Sequence, residues 1–160
     1  MKADCSRTDA PSYCYTSLFS GCKWLVQAPE LPATTLGNYC YNGMFSNCQK
    51  LTSAPELPAT TLAEACYRFM FNGCNTLTSA PELPATTLAN SCYTNMFQYC
   101  SSLSTIKVGF TQWNPSNATS SWLLSIAASG TFTCPTALGT DSTITRGDSN
   151  CPTGWTVVNT

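Results

Sequence analysis

APELPATTL occurs three times, at residues 28–36, 54–62 and 80–88, so the sequence repeats itself with a period of 26 residues. A unit of this length combines one short strand with a short helix or turn, and it cannot bury its apolar face alone. The units are therefore predicted to stack on one another. Three full copies and one half copy share the pattern: 25–50, 51–76 and 77–102, preceded by YCYTSLFSGCKW at 13–24.

Each copy is predicted to contain one strand and one helix. In the second copy, residues 51–56 suit a short strand that Pro55 ends, because proline has no amide hydrogen for ladder pairing. A threonine after the second proline of the copy is predicted to cap the helix. Cys66, Met70 and Cys74 recur every four residues, which places them on one helical face. That face is predicted to be the core.

The repeat pattern stops after Ser104, where a different segment is needed to close the exposed core. Trp113 and Trp122 are predicted to cover its end. The elements predicted in this segment are a strand with Ile106, Val108 and Phe110 inward, a helix from Ser120 or Ser121 to Gly130, a strand at 131–134 and a closing strand in PTGWTVVNT.

Two segments carry a phrase of the form F-x-x-C-x-x-L-T-S, FNGCNTLTS at 71–79 and MFSNCQKLTS at 44–53. This phrase, repeated in register and followed by a proline turn, resembles the BspA-like class of leucine-rich repeats, with Met in place of the small residue before Phe. The LPATTLA and CYxxMF variant also resembles repeats of Bacteroidales surface proteins and of phages that infect those bacteria. The resemblance implies an adhesion or binding surface and no catalytic residue set.

The predicted fold class is an α/β repeat, namely a short leucine-rich-repeat solenoid with a C-terminal α+β cap. The predicted organisation is an N-terminal extension at 1–12, the repeats at 13–104 and the capping module at 105–160.

Composition excludes several classes of function. Seven basic and eight acidic side chains give a net charge of -1, which offers no field to attract nucleic acid or an anionic membrane. No run of about 18 apolar residues predicts membrane insertion, and the start MKADCSRTDAPS lacks the apolar core of a leader. The chain has no histidine, so acid–base or nucleophilic catalysis lacks its usual partner. We expect neither an enzyme nor a cofactor.

Eight of the eleven cysteines form two series stepped by 26 residues. Buried free thiols are favoured over disulfides within a series, because parallel inward side chains rarely meet the torsion that a disulfide needs. A metal site is disfavoured, since the chain has no histidine and no C-x-x-C pair. Outside the series, Cys134 and Cys151 can form a disulfide that staples the C-terminal segment. The two series are Cys14, Cys40, Cys66 and Cys92, and Cys22, Cys48, Cys74 and Cys100.

Two further rows are candidate binding residues. The acidic row is Glu30, Glu56 and Glu82, and the tyrosine row is Tyr15, Tyr41, Tyr67 and Tyr93. Like charges about 5 Å apart repel by up to ~1 kcal/mol in water, which a basic partner or a cation would relieve; the alternative is simple hydration of each carboxylate. The tyrosine rings can form a flat surface for sugars or protein side chains, and the alternative, which we favour, is packing.

Two short motifs are discounted. Arg146-Gly147-Asp148-Ser149 matches an integrin-recognition tetrapeptide, but four residues in a turn arise easily by chance. Asn117-Ala118-Thr119 matches an N-glycosylation acceptor, which has meaning only in a secretory pathway.

The function predicted from these features is a non-enzymatic adhesion module on a bacterial surface or in the extracellular space, which recognises a protein or glycan through its repeat faces. The alternatives are a phage virion protein, in the tail or as decoration, that binds host cells or neighbouring virion subunits, and a purely structural scaffold. Assembly with other virion or surface proteins belongs to the same set of expectations.

Overall fold

The computed structural model describes residues 5–115 and 117–160, so the first four residues of the N-terminal extension lie outside the described chain. Its recurring unit is a run of consecutive turns, found at residues 12–21, 38–47, 64–73, 90–99 and 117–125. We call these segments the turn runs. In each run, residues spaced by four have a left-handed backbone, with φ between +49° and +75°. Because a right-handed helix needs φ near −63°, no α-helix can pass through such positions.

The amide groups of a turn run alternate between two kinds of partner. In the first run, the Thr16 N–H donates to the Tyr13 carbonyl three residues earlier, whereas the Tyr15 N–H donates to the Cys40 carbonyl in the second run. Five bonds of the second kind join each of the first three pairs of neighbouring runs, at 2.7 to 3.1 Å. Each run therefore donates forward to the next run and accepts from the run before it.

The strands are short and all their pairings are parallel. One sheet contains two strands and the other three, in the orders β1-β2 and β3-β4-β5. A single 3₁₀ turn, Thr136–Leu138, follows β4. The strands are β1 (Asp9–Ala10), β2 (Thr35–Leu36), β3 (Thr105–Lys107), β4 (Thr131–Cys134) and β5 (Thr156–Asn159).

The predicted fold class is wrong. In the described residues the structure has no α-helix, so there is neither an α/β leucine-rich-repeat solenoid nor a C-terminal α+β cap that contains helices. What the structure has is turn runs and two small parallel sheets. The strand predicted at 51–56 is reduced to an isolated bridge, which pairs Gln27 with Ser53.

The helix prediction failed because two structures share almost the same period. A helix returns to the same face after 3.6 residues, and a chain of four-residue turns returns to it after four. Cys66, Met70 and Cys74 do lie on one fully buried face, as predicted. Ala65, Phe69 and Gly73, one position earlier in each case, have left-handed φ values of 50°, 55° and 74°. The pattern therefore identified the buried face and misidentified the backbone that presents it.

The core consists of two columns of aromatic rings. Tyrosine rings of successive copies stack with centroids 5.4, 5.9 and 6.0 Å apart, and phenylalanine rings with centroids 5.6 Å apart. Trp122 closes both columns, with its ring centroid 6.0 Å from that of Tyr93 and 6.4 Å from that of Phe97. The columns are Tyr15, Tyr41, Tyr67 and Tyr93, and Phe19, Phe45, Phe71 and Phe97.

The spacing of the copies continues into the C-terminal segment, although the sequence motif does not. Thr105 pairs with Thr131, 26 residues later, and Thr131 pairs with Thr156. The strands predicted around Ile106, at 131–134 and at the C-terminus are confirmed as β3, β4 and β5. The helix predicted from Ser120 or Ser121 is wrong, because 117–125 is a fifth turn run, with a φ of 49° at Ser121.

The turn runs predict a sharp dependence on the residue type at their left-handed positions. Gly43 has a φ of 63°, and Asn95 occupies the same position two copies later with a φ of 55°. Gly43→Val should lower the free energy of unfolding by about 1–2 kcal/mol, since a β-branched residue resists this conformation. Gly43→Asn is the matched control and should be nearly neutral. Urea unfolding compares the two, and equal stability of both variants would contradict the backbone described here.

Candidate functional site

The tyrosine row lies in the core and not on the surface. Tyr41, Tyr67 and Tyr93 are each about 1% exposed, and Tyr15 at the end of the row is half-buried. The rings stack on one another between successive copies, so their faces meet other tyrosines. This corrects the interpretation of the row as a platform for sugars or protein side chains. The alternative, packing, is what the structure shows.

Burial also controls the chemistry of these phenols. It raises the pKa of Tyr41, Tyr67 and Tyr93 well above the usual range for tyrosine. The hydroxyls of Tyr41 and Tyr67 are buried and have no hydrogen-bond partner in the described structure. The three tyrosines therefore stay neutral, and they are placed to pack rather than to exchange protons.

The second cysteine series has a structural role that the sequence does not announce. The Cys74 thiol donates to the Phe45 carbonyl at 3.1 Å, and the Cys100 thiol donates to the Phe71 carbonyl at 3.0 Å. The same two carbonyls also accept backbone N–H groups, from Cys48 and Cys74 respectively. Each of these thiols is thus a hydrogen-bond donor from one copy to the copy before it.

All eleven cysteines are free thiols in the structure, and those of the inner copies are fully buried, whereas Cys14 and Cys22 at the N-terminal end are exposed. Burial raises the pKa of Cys40 and of Cys100 to about 12, and that of Cys48 to about 11. A thiol that stays protonated is a poor nucleophile and a poor metal ligand. The inner cysteines therefore contribute packing and hydrogen bonds, not reactivity.

The C-terminal segment holds Cys134 and Cys151, both buried and both free. Burial raises the pKa of both thiols, to about 11 for Cys151, and the neighbouring Cys134 thiol contributes to the latter increase. The disulfide between them stays a prediction.

Neither discounted motif is presented as a recognition element. The Arg146 guanidinium donates to the carbonyls of Pro152 at 3.0 Å and Trp155 at 2.8 Å, and it pairs with Asp141 at 2.7 Å. It is therefore occupied inside the chain. In the other motif Asn117 is exposed, but Thr119 is only 2% exposed and lies in the fifth turn run.

The acidic row lies on the surface, as a candidate binding row must. Glu30, Glu56 and Glu82 are all exposed, each between two prolines of its copy. We call this surface the Pro–Glu face. It consists of Pro29, Glu30 and Pro32 in the first full copy and of the equivalent residues Pro55, Glu56 and Pro58, and Pro81, Glu82 and Pro84.

Two open grooves lie side by side on the Pro–Glu face, each with a volume of about 460 Å³. The first contains Glu30 and Glu56 in its lining, and the second contains Glu56 and Glu82. Every groove is thus bordered by prolines of two copies and by two carboxylates. The sequence signal for these grooves was present in the repeated P-E-L-P, but only the charge of its glutamate attracted attention.

One carboxylate of the face already has a basic partner. The Lys107 ammonium lies 2.9 Å from Glu82, in an exposed pair at the end of the row. Such a surface pair contributes about 0–1 kcal/mol to stability. Its geometry demonstrates that a lysine side chain can reach a carboxylate of this row without a rearrangement of the prolines.

Two structural searches bear on other classes of site. Within residues 5–115 and 117–160, no group of three or more Cys, Asp or Glu side chains is placed to hold a metal ion. In the same residues, no helix is long and apolar enough to cross a membrane.

The raised thiol pKa values predict a loss of stability at alkaline pH. A thiol protonated in the folded chain and ionised in the unfolded chain stabilises the fold below its ordinary pKa, 9.0, and this contribution is lost as the pH rises towards about 12 for Cys100. Cys100→Ser keeps a donor for the Phe71 carbonyl and removes the ionisation. The alkaline slope of the free energy of unfolding should therefore fall by about 1.4 kcal/mol per pH unit.

Chemical denaturation at pH values between 9 and 11 measures this slope, and the slope at pH 6–8 serves as the control because no thiol titrates there. An alkaline slope identical to that of the unsubstituted chain would show that the Cys100 thiol is not held protonated.

The tyrosine column predicts unequal effects of two substitutions. Tyr67→Phe removes a buried hydroxyl that has no partner, so stability should be unchanged or higher by up to about 1 kcal/mol. Tyr67→Leu removes the stacked ring and should cost about 2 kcal/mol or more. Thermal and urea unfolding compare them, and a loss for Tyr67→Phe as large as that for Tyr67→Leu would assign the hydroxyl an essential contact.

Comparison of the chain with protein-family models, with characterised proteins and with solved structures found no match in any of the three. The resemblance to BspA-like repeats therefore stays a prediction from the quoted motifs.

Proposed function

We propose that this chain is a non-enzymatic binding module that recognises a protein on a cell surface through its Pro–Glu face. The observation that carries the proposal is the repeated groove, in which two carboxylates from neighbouring copies stand between prolines. A segment that lies along this face meets the same arrangement of groups in each copy. Its complement is an extended polypeptide with lysine or arginine side chains at regular intervals.

Charge supports a basic partner. The three glutamates are exposed, and the face contains no basic residue of its own apart from Lys107 at one end. A lysine or arginine of the partner would relieve repulsion within the row and form charge-assisted hydrogen bonds. The pair between Lys107 and Glu82 is an internal example of that contact.

The prolines favour binding for a second reason. Their ring fixes φ, so the face loses little conformational entropy when a partner binds. The N–H groups that they lack also leave the neighbouring copies less tightly bridged, which keeps the grooves open. A rigid and open surface of this kind suits an extended segment better than a compact ligand.

The burial of the tyrosine row argues for protein and against glycan as the ligand. Sugar recognition relies on exposed aromatic faces, and the rings that form the row are stacked inside the core. The large exposed aromatic residues, Tyr13, Trp24 and Tyr99, do not line the grooves of the Pro–Glu face. The resemblance to Bacteroidales surface repeats supports a bacterial surface as the setting.

The test replaces the acidic row. Glu30→Gln, Glu56→Gln and Glu82→Gln together should reduce binding at least tenfold, because each removes one charge-assisted contact. The control variant Asp9→Asn, Glu64→Gln and Asp148→Asn also neutralises three carboxylates, but away from the face, and should bind like the unsubstituted chain. The assay measures binding of the labelled chain to intact gut bacteria and to matrix proteins, at low and high salt.

Circular dichroism checks that both variants keep the fold. Equal binding of the two variants would exclude the acidic row as a binding site. Absence of saturable binding by the unsubstituted chain across all surfaces would overturn the proposal, whereas binding confined to particular bacterial strains would redirect it towards a virion component.

A further inference from the structure

The first turn run ends the set of runs without being covered. Every later run accepts N–H groups of the preceding run at alternate carbonyls, such as those of Cys40, Asn42 and Met44. The equivalent carbonyls in the first run accept no hydrogen bond from any described residue. These five carbonyls, which belong to Ser12, Cys14, Thr16, Leu18 and Ser20, define what we call the acceptor edge.

The apolar side chains beside this edge are also uncovered. Leu18 is 44% exposed, whereas Met44, its equivalent in the next copy, is fully buried. Phe19 is half-buried, whereas Phe45 is fully buried. The N-terminal segment covers only the neighbouring part of the first full copy, where β1 pairs with β2. The acceptor edge therefore combines unused carbonyls with unburied core side chains.

A departure from the repeat sequence occurs at the same edge. Trp24 and Val26 are 83% and 57% exposed. The residues one period later are Lys50 and Thr52, and those of the later copies are also polar. Apolar residues have thus replaced polar ones where exposure is greatest. Exposed apolar clusters of this kind are typical of protein interfaces.

The opposite end of the set of runs is closed. The Leu123 N–H donates to the Asp148 carbonyl at 3.0 Å, and the Ser121 N–H donates to the Ser149 hydroxyl at 2.8 Å. The Trp122 indole donates to the Asn150 carbonyl at 3.1 Å. A second copy of the chain therefore has no free N–H edge to offer. Two acceptor edges cannot pair either, because both present carbonyls.

We propose that the acceptor edge is a docking surface for another polypeptide that carries the same 26-residue repeat with its N–H edge uncovered. Such a partner supplies N–H groups at every second residue and apolar side chains at every fourth. These are the groups that the second turn run accepts from the first. Trp24 and Val26 lie at the margin of the surface and extend the apolar contact. The inference does not depend on the function proposed for the Pro–Glu face.

The probe for this site is a synthetic peptide of residues 37–50, GNYCYNGMFSNCQK, labelled with fluorescein and kept reduced. Saturable binding to the intact chain is expected. Leu18→Ser should weaken binding about tenfold or more, since Leu18 supplies apolar area at the centre of the edge. Val158→Ser is the matched control, because Val158 is 45% exposed on β5, far along the chain from the edge, and it should bind the peptide like the unsubstituted chain.

A second peptide tests the hydrogen bonds directly. Methylation of its backbone amides at Tyr39, Tyr41, Gly43, Phe45 and Asn47 removes the forward donors and should abolish binding. A two-copy polypeptide of residues 25–76 serves as a larger probe if the short peptide binds weakly. The proposal is overturned if neither probe binds, if the methylated peptide binds as well as its parent, or if sedimentation shows that the chain fills the edge by self-association.

Discussion

The forward hydrogen bond between turn runs is the interaction on which the rest of the structure depends. It uses every second amide of a run, and the amides between them close the local turns. Since both sets are satisfied only when the left-handed positions recur every four residues, backbone conformation and contact between copies are specified together. The aromatic columns follow from this spacing, because it places equivalent rings between 5.4 and 6.0 Å apart.

The sequence allowed the buried side chains to be predicted, but not the backbone that carries them. Cys66, Met70 and Cys74 were assigned to the core from their spacing alone, and they are fully buried. The helix assigned to them was wrong, because nothing in the side-chain pattern separates a period of 3.6 from a period of four over ten residues. Left-handed positions occupied by Ala65 or Phe69 gave no warning, since glycine is the usual signal for that conformation.

For the candidate site, the outcome depended on which face each row occupies. The alternation that distinguishes Glu56 from Tyr67 is plain in composition, and charge alone was enough to place the glutamate at the surface. Tyrosine is ambiguous, because its ring suits a core as well as an interface. The prolines of the Pro–Glu face were understood only as chain terminators, so the grooves between them could not be inferred. Their depth depends on how two copies meet, which no single copy encodes.

The protonated thiols in the interior have a consequence for the reversibility of unfolding. Folded, the inner cysteines are shielded and remain thiols. Once the chain opens, their ordinary acidity returns, and many neighbouring thiolates become available to oxygen or to a disulfide at the same moment. Mixed and mispaired bridges then form faster than columns of 26-residue spacing can be rebuilt. Under oxidising conditions the lifetime of this protein is therefore set by how rarely it opens, and the fold persists by kinetic protection rather than by repeated equilibrium return.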